Sequence, residues 1–341
     1  MKIQRFFDTV YEDNAARSLA ERRQRLPDIA RYVRNAALGP VDAMLTRRYR
    51  TNDQAIFFIV GAPRSGTTLL YQLIAEHLDA AYISNQLARF WSAPVAGAAL
   101  LQSRYGETHP SGDLTSHYGR APDAFGPHEF SWFWHYWGDF SRYDDLRGNE
   151  LDRVDWSAIA DRLSALAGHA RRPLVLKSIN FTNYQTQTLA RHLPNARFLW
   201  IDREPLYCAQ SILEARMSRY GDIKRWWSVR PRDAERFREC EPSEQVAHQI
   251  ADIAQALTRS ASTLGHDRFH RVRYEDLTTD PTKTLSRIAD FMSVDAPDAG
   301  TLSELSLKPR NQTTLDPNLL RSLEAALERE PELGFDAGES R

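Results

Sequence analysis

The chain has 341 residues, 42% of them apolar and 26% charged, a balance that excludes a disordered or fibrous protein and supplies ample core for a globular domain. Basic and acidic side chains nearly cancel, 44 against 45, so no overall field draws the molecule to nucleic acid or an anionic membrane, and an anionic ligand has to be held by local charges. Cys208 and Cys240 are the only cysteines, too few for a disulfide framework, which fits a reducing cytoplasm.

Residues 1–13, MKIQRFFDTVYED, break every apolar cluster with charge, so neither a signal-peptide core nor a transmembrane segment is expected there. Residues 1–50 are rich in Arg and Ala with apolar positions at roughly helical spacing, which predicts an N-terminal helical arm packed on the outside. Short β-rich runs then alternate with helical stretches: strand 55–60 and helix 67–78, strand 174–177 and helix 184–192, strand 197–202 and helix 206–215. A helix over 243–262 carries Val246, Ile250, Ile253 and Leu257 on one face, a strand follows at 269–273, and Asp280 with Pro281 reads as the cap and first position of a helix ending near Met292. The alternation predicts one α/β domain over residues 1–341, a three-layer αβα arrangement around a central parallel sheet. Residues 80–172 are too many for one crossover and are expected to form a largely helical insertion, a lid or acceptor pocket over the strand ends.

The chemistry concentrates in FFIVGAPRSGTTLL, residues 57–70, where an apolar run enters Gly61-Ala-Pro-Arg-Ser-Gly66 and leaves as a helix. A loop of this kind turns backbone N–H groups inward toward the positive end of the next helix and predicts an anion site. The spacing is that of the common nucleotide-binding loop, but Thr67 stands where nucleoside triphosphatases carry Lys. The cation is Arg64, inside the loop, which suits an anion shorter than a triphosphate. An apolar strand ending at Asp202 is the one feature favouring a metal-dependent kinase or NTPase.

Pro63-Arg64-Ser65-Gly66-Thr67-Thr68 resembles the 5'-phosphosulfate-binding loop of the sulfotransferase family, with its nucleotide-binding αβα fold, and LPNARFLWIDREP, residues 193–205, is similar to that family's wording. The resemblance covers about residues 56–79 and 172–292. It implies 3'-phosphoadenosine 5'-phosphosulfate (PAPS) as cosubstrate, no metal, and transfer of the sulfuryl group to a hydroxyl or amine of a small-molecule or lipid-like acceptor. It also implies roles for residues. Arg64 contacts the sulfuryl end, Ser65, Gly66, Thr67 and Thr68 hold the 5'-phosphate, and Arg203 with Ser211 binds the 3'-phosphate. Tyr274, in RVRYEDLTTDPTKTL, lies near the adenine, Lys308 and Arg310 reach the 3'-phosphate from a C-terminal loop, and Lys177 supports the bridging oxygen.

The usual general bases are missing. Cytosolic members carry a His two residues after the strand Lys, where this chain has Ile179. Another branch uses a Glu after the phosphate-loop helix, where this chain reads Ser84-Asn85-Gln86. The candidate is Glu129, with His128 beside it, in the aromatic segment 125–137, because a carboxylate desolvated among aromatics accepts a proton near neutral pH. His117 and His135 have nothing in the sequence to orient them. Loss of the base leaves a non-catalytic nucleotide-binding module as the further alternative.

Overall fold

The computed structural model describes residues 25–106, 123–138, 144–297 and 309–330, with residues 110, 114 and 307. In chain order the elements are α1 (Arg25–Tyr49), β1 (Ile56–Val60), α2 (Thr67–His77), β2 (Ala81–Tyr82), α3 (Pro94–Tyr105), α4 (Ser131–Trp137), α5 (Trp156–Ala170), β3 (Leu174–Lys177), α6 (Ile179–Thr182), α7 (Thr186–His192), β4 (Ala196–Asp202), α8 (Pro205–Tyr220), α9 (Pro242–Leu264), β5 (Phe269–Arg273), α10 (Tyr274–Thr279), α11 (Pro281–Met292) and α12 (Pro317–Glu328).

The strands form one parallel sheet in the order β2-β3-β1-β4-β5. Both faces are covered, and the alternation along β1 shows how. Ile56, Phe58 and Val60 join a cluster with Leu163 of α5, Leu189 of α7 and Leu257 of α9. Phe57 and Ile59 join a second with Leu70 and Ile74 of α2 and Ile288 of α11. A strand apolar at every position, 0% exposed throughout, is what a sheet between two helical layers requires. A third cluster seats α12 on α8 and α9 through Leu323, Ile212 and Val246.

The expected parallel α/β core is therefore present. Strands 174–177 and 269–273 and the Pro281 helix have the expected bounds, and the Asp280 carboxylate accepts from the Lys283 amide at 3.0 Å. The helix read as 206–215 runs on to Tyr220, α12 was not among the expected elements, and the sheet gains a strand. The segment read as an insertion opens with β2, two residues that extend the sheet beside β3, a strand too short for any periodicity to reveal. Tyr71 ties this edge together, donating to the Val175 carbonyl at 3.2 Å and accepting from the Ile83 amide at 3.0 Å.

Candidate active site

Because the strands run parallel, their carboxyl ends share one edge, and the segments leaving β1, β3, β4 and β5 meet there. The Gly61–Gly66 loop lies at its centre. Arg64 has φ 70° and Gly66 φ 99°, left-handed backbone of the kind that curls successive amides around an anion. A Cβ on Gly66 would sit 2.5 Å from the Tyr274 ring, and one on Gly61 2.3 Å from the Ile201 carbonyl oxygen, so neither position has room for a side chain. Asn183 anchors the loop from below. It is fully buried, accepts from the Gly61 amide at 3.0 Å and donates to the Gly61 carbonyl at 2.9 Å. The Ser65 hydroxyl is buried inside the loop with no hydrogen-bond partner among the described residues.

From β3, Lys177 reaches the first turn of α2 and donates to Thr68 Oγ1 at 2.8 Å. Its ammonium also ion-pairs with Glu129; the lysine side chain is 3% exposed and the carboxylate 30%. Glu129 arrives because residues 124–128 lie along residues 83–86 just past β2: the Asn85 amide donates to the Gly126 carbonyl at 2.9 Å and the His128 amide to that of Ile83 at 2.7 Å. Ser178 then holds the Glu129 carbonyl at 2.5 Å. Instead of resting among aromatic rings, the carboxylate faces a cation at the mouth of the loop. The rings of Phe130, Phe133 and Trp134 are packed in the core, with Trp134 stacked on Phe181. His128 is turned to its own backbone, its Nδ1 accepting from the Phe130 amide at 2.8 Å. That bond occupies the lone pair a base would use. His135 packs edge-on against Phe181, and His117 lies outside the described residues.

From β4 and α8, Arg203 and Ser211 reach the same loop. Ser211 accepts from Arg64 Nε at 2.9 Å. Arg203, 8% exposed, donates to the Arg64 carbonyl at 2.9 Å, the Asn311 side-chain oxygen at 3.0 Å and the Arg310 carbonyl at 2.6 Å. Its guanidinium lies 4.6 Å from the centre of the Tyr274 ring. Tyr274 is thus enclosed, 5% exposed, between Gly66 and Arg203, while its hydroxyl accepts from the Arg310 amide at 3.3 Å. Residues 309–315 form a strap across these groups, pinned by Gln210, which donates to the Gln312 carbonyl and accepts from the Thr314 amide. Lys308 lies outside the described residues. The signal for the strap was the polar run Arg310-Asn311-Gln312-Thr313-Thr314, which by itself names no partner.

Two neighbouring groups narrow the chemistry. Burial pushes the Cys208 thiol, beneath the Arg203 carbonyl, up to about 12, so it has no thiolate to offer as a nucleophile. Asp202, which a kinase would turn to a metal, instead pairs with Arg271 of β5 at 2.5 Å.

Two solved structures share the fold. The sulfotransferase STF9 from Mycobacterium avium is 16% identical, covers 81% of this chain and 74% of its own, and has a TM-score of 0.52. The sulfotransferase STF1 from Mycobacterium tuberculosis H37Rv is 16% identical, covers 96% and 90%, and also has a TM-score of 0.52. At such identities the likeness speaks for the fold alone. Among curated proteins the chain has no match. The family model described as the sulfotransferase family matches residues 57–298, from β1 to beyond α11, and with the loop and the strand-end cations inside that span, the chain belongs to the sulfotransferase family.

Proposed function

We propose that the protein transfers the sulfuryl group of PAPS to a hydroxyl or amine of a small or lipid-like acceptor. The observation that carries this reading is the convergence of Lys177, Arg64 and Arg203 on one glycine loop whose Ser65 hydroxyl is buried without a partner. A buried orphan hydroxyl beside inward-curled backbone fits a phosphate oxygen, since an unsatisfied group costs about 1–3 kcal/mol.

In this reading the loop, Ser65, Thr67 and Thr68 hold the 5'-phosphate, while Arg203 and Ser211 hold the 3'-phosphate. The planar guanidinium suits two phosphate oxygens at once. Arg203 exchanges its bonds to the strap for bonds to the phosphate, and Tyr274 supports the arginine and the loop rather than facing the adenine. The acceptor oxygen attacks sulfur, the bond from sulfur to the bridging oxygen breaks, and the acceptor proton passes to a Glu129 carboxylate oxygen. Negative charge gathers on the bridging oxygen, where Lys177 and Arg64 neutralise it. Lys177 touches both Thr68 and Glu129, so one ammonium links the phosphate side of the reaction to the base.

The pairing of Asp202 with Arg271 speaks against a metal-dependent kinase. A ligand panel tests the reading: 3',5'-bisphosphoadenosine should raise the melting temperature well above any effect of ATP with magnesium or of AMP. Turnover with PAPS and a panel of phenols, alcohols and amines separates an enzyme from a binding module. Stabilisation by ATP with magnesium alone would overturn the proposal. No described helix is long and apolar enough to cross a membrane, and Cys208 and Cys240 are free thiols, which suits a reducing cytoplasm.

A further inference from the structure

Helix α1 buries polar side chains and exposes a stripe of apolar ones. Asp28, Asn35, Asp42 and Thr46 point inward, each 5% exposed or less. Their partners are specific: Asn35 donates to the Arg89 carbonyl at 2.9 Å and accepts from the Ser92 amide at 3.1 Å, and Asp42 accepts from the Val95 and Ala96 amides at 2.8 and 3.1 Å and pairs with Arg162. Tyr32, Leu45 and Tyr49 pack against the core, but a second apolar stripe points out. Ile29, Val33, Val41 and Met44 are 49, 61, 44 and 60% exposed, and at 3.6 residues per turn they fall within about 120° of arc. An amphipathic helix normally places that stripe against the core. Here Asn35 and Asp42 are bonded to residues outside the helix, so it cannot roll to bury the stripe without breaking those bonds.

The charges around the stripe share one sign. The only acids of α1, Asp28 and Asp42, are 3% and 0% exposed. Arg47 and Arg48 close the exposed arc at its C-terminal end, and Arg31, toward the other, is ion-paired with Asp28 at 2.9 Å. The near-neutral total of 44 basic and 45 acidic residues conceals this local excess. With its C-terminal end basic, parallel pairing of α1 with a second copy opposes like charges. An apolar stripe flanked by arginine is instead complementary to a surface both apolar and anionic.

We propose that the outward face of α1 is a docking surface for an anionic lipid bilayer. Ile29, Val33, Val41 and Met44 enter the boundary between headgroups and acyl chains, and Arg47 and Arg48 meet lipid phosphates. The two contributions act together, since a modest apolar area alone binds bilayers weakly and basic residues add affinity near an anionic surface. The proposal stands apart from the identity of the acceptor and needs no transmembrane helix.

The test is cosedimentation of the full chain with phosphatidylcholine vesicles, with or without about one third phosphatidylglycerol. The intact protein should partition onto the anionic vesicles, release as salt rises, and ignore the neutral ones. The double variants Val33→Glu/Met44→Glu and Arg47→Glu/Arg48→Glu should each lower the partition by roughly tenfold or more. Met217→Glu, at an exposed position of α8, should not. All these positions face solvent, so an unchanged melting temperature certifies the fold. The proposal is overturned by absence of binding to anionic vesicles, by equal binding to neutral ones, or by binding that survives both double variants. A wild-type dimer split by Val33→Glu/Met44→Glu would assign the face to a second copy instead. Binding that appears only after deletion of residues 1–24 would assign it to that segment.

Discussion

Arg64 Nε lies 2.9 Å from Ser211 Oγ, a hydrogen bond between the loop after β1 and the second turn of α8. It makes the two proposed anion subsites neighbours: the cation assigned to the sulfuryl end touches the hydroxyl assigned to the 3'-phosphate. An incoming nucleotide therefore competes with a bond already in place, and substitutions at the two ends should separate in effect.

Arg203→Ala should weaken binding of 3',5'-bisphosphoadenosine by roughly 10- to 100-fold, since a hydrogen bond to a charged group contributes about 1.5–3 kcal/mol. Ser211→Ala should cost several-fold. AMP, lacking the 3'-phosphate, should change little, and calorimetric titration of both nucleotides checks this. Equal losses for the two ligands would show that these residues do not read the 3'-phosphate.

Lys177→Ala and Arg64→Ala should lower kcat more than nucleotide affinity, because their charges matter most as the bridging oxygen becomes negative. Steady-state kinetics together with a binding titration makes the comparison. Unchanged kcat in both variants would remove them from the mechanism.

Glu129→Gln keeps the side-chain shape and removes the proton-accepting charge, so nucleotide should still bind while turnover falls by about 10² or more. His128→Ala is the contrasting variant and should retain turnover, its Nδ1 being engaged by the Phe130 amide. If His128→Ala loses turnover and Glu129→Gln does not, the imidazole is the base.

Asn183→Ala should destabilise the protein by about 2–4 kcal/mol, because it orphans the buried amide and carbonyl of Gly61 together. The denaturant midpoint measures this. A neutral result would mean the loop holds its shape without its anchor.

Stability should fall as pH drops below about 6.5, in part through His270. Burial, and then Arg287, lower its pKa in the fold from the ordinary 6.5. The unfolded chain therefore takes up a proton first, and stability present above 6.5 is lost as pH falls from there toward the depressed folded value. His270 stacks on Phe291 with ring centres 5.1 Å apart. His270→Phe keeps an aromatic ring there and should flatten the decline of melting temperature between about pH 7 and 5; an equally steep decline would exclude this residue as its source.

The glycine loop and the main strands were legible in the amino-acid order because their causes are local. Phe57 to Val60 is a short apolar run, bounded by a glycine loop, that suits a doubly covered strand, and a glycine at position 66 meets a positive φ. The family resemblance rested on that same stretch. What the tertiary structure decided is which distant groups meet. Glu129 is a loop acid until residues 124–128 lie along the chain after β2 and bring it to Lys177, 48 positions away. Arg203 reads as an open phosphate ligand until the strap places Asn311, 108 positions away, against its Nε. Asn183 carries no signal until the order β3-β1-β4 sets it beneath Gly61. The outward stripe of α1 has ordinary helical spacing, and only the inward bonds of Asn35 and Asp42 determine which way it faces. Local propensity specifies strands and turns, whereas the pairing of polar groups depends on sheet order and helix rotation, which packing of the whole core selects.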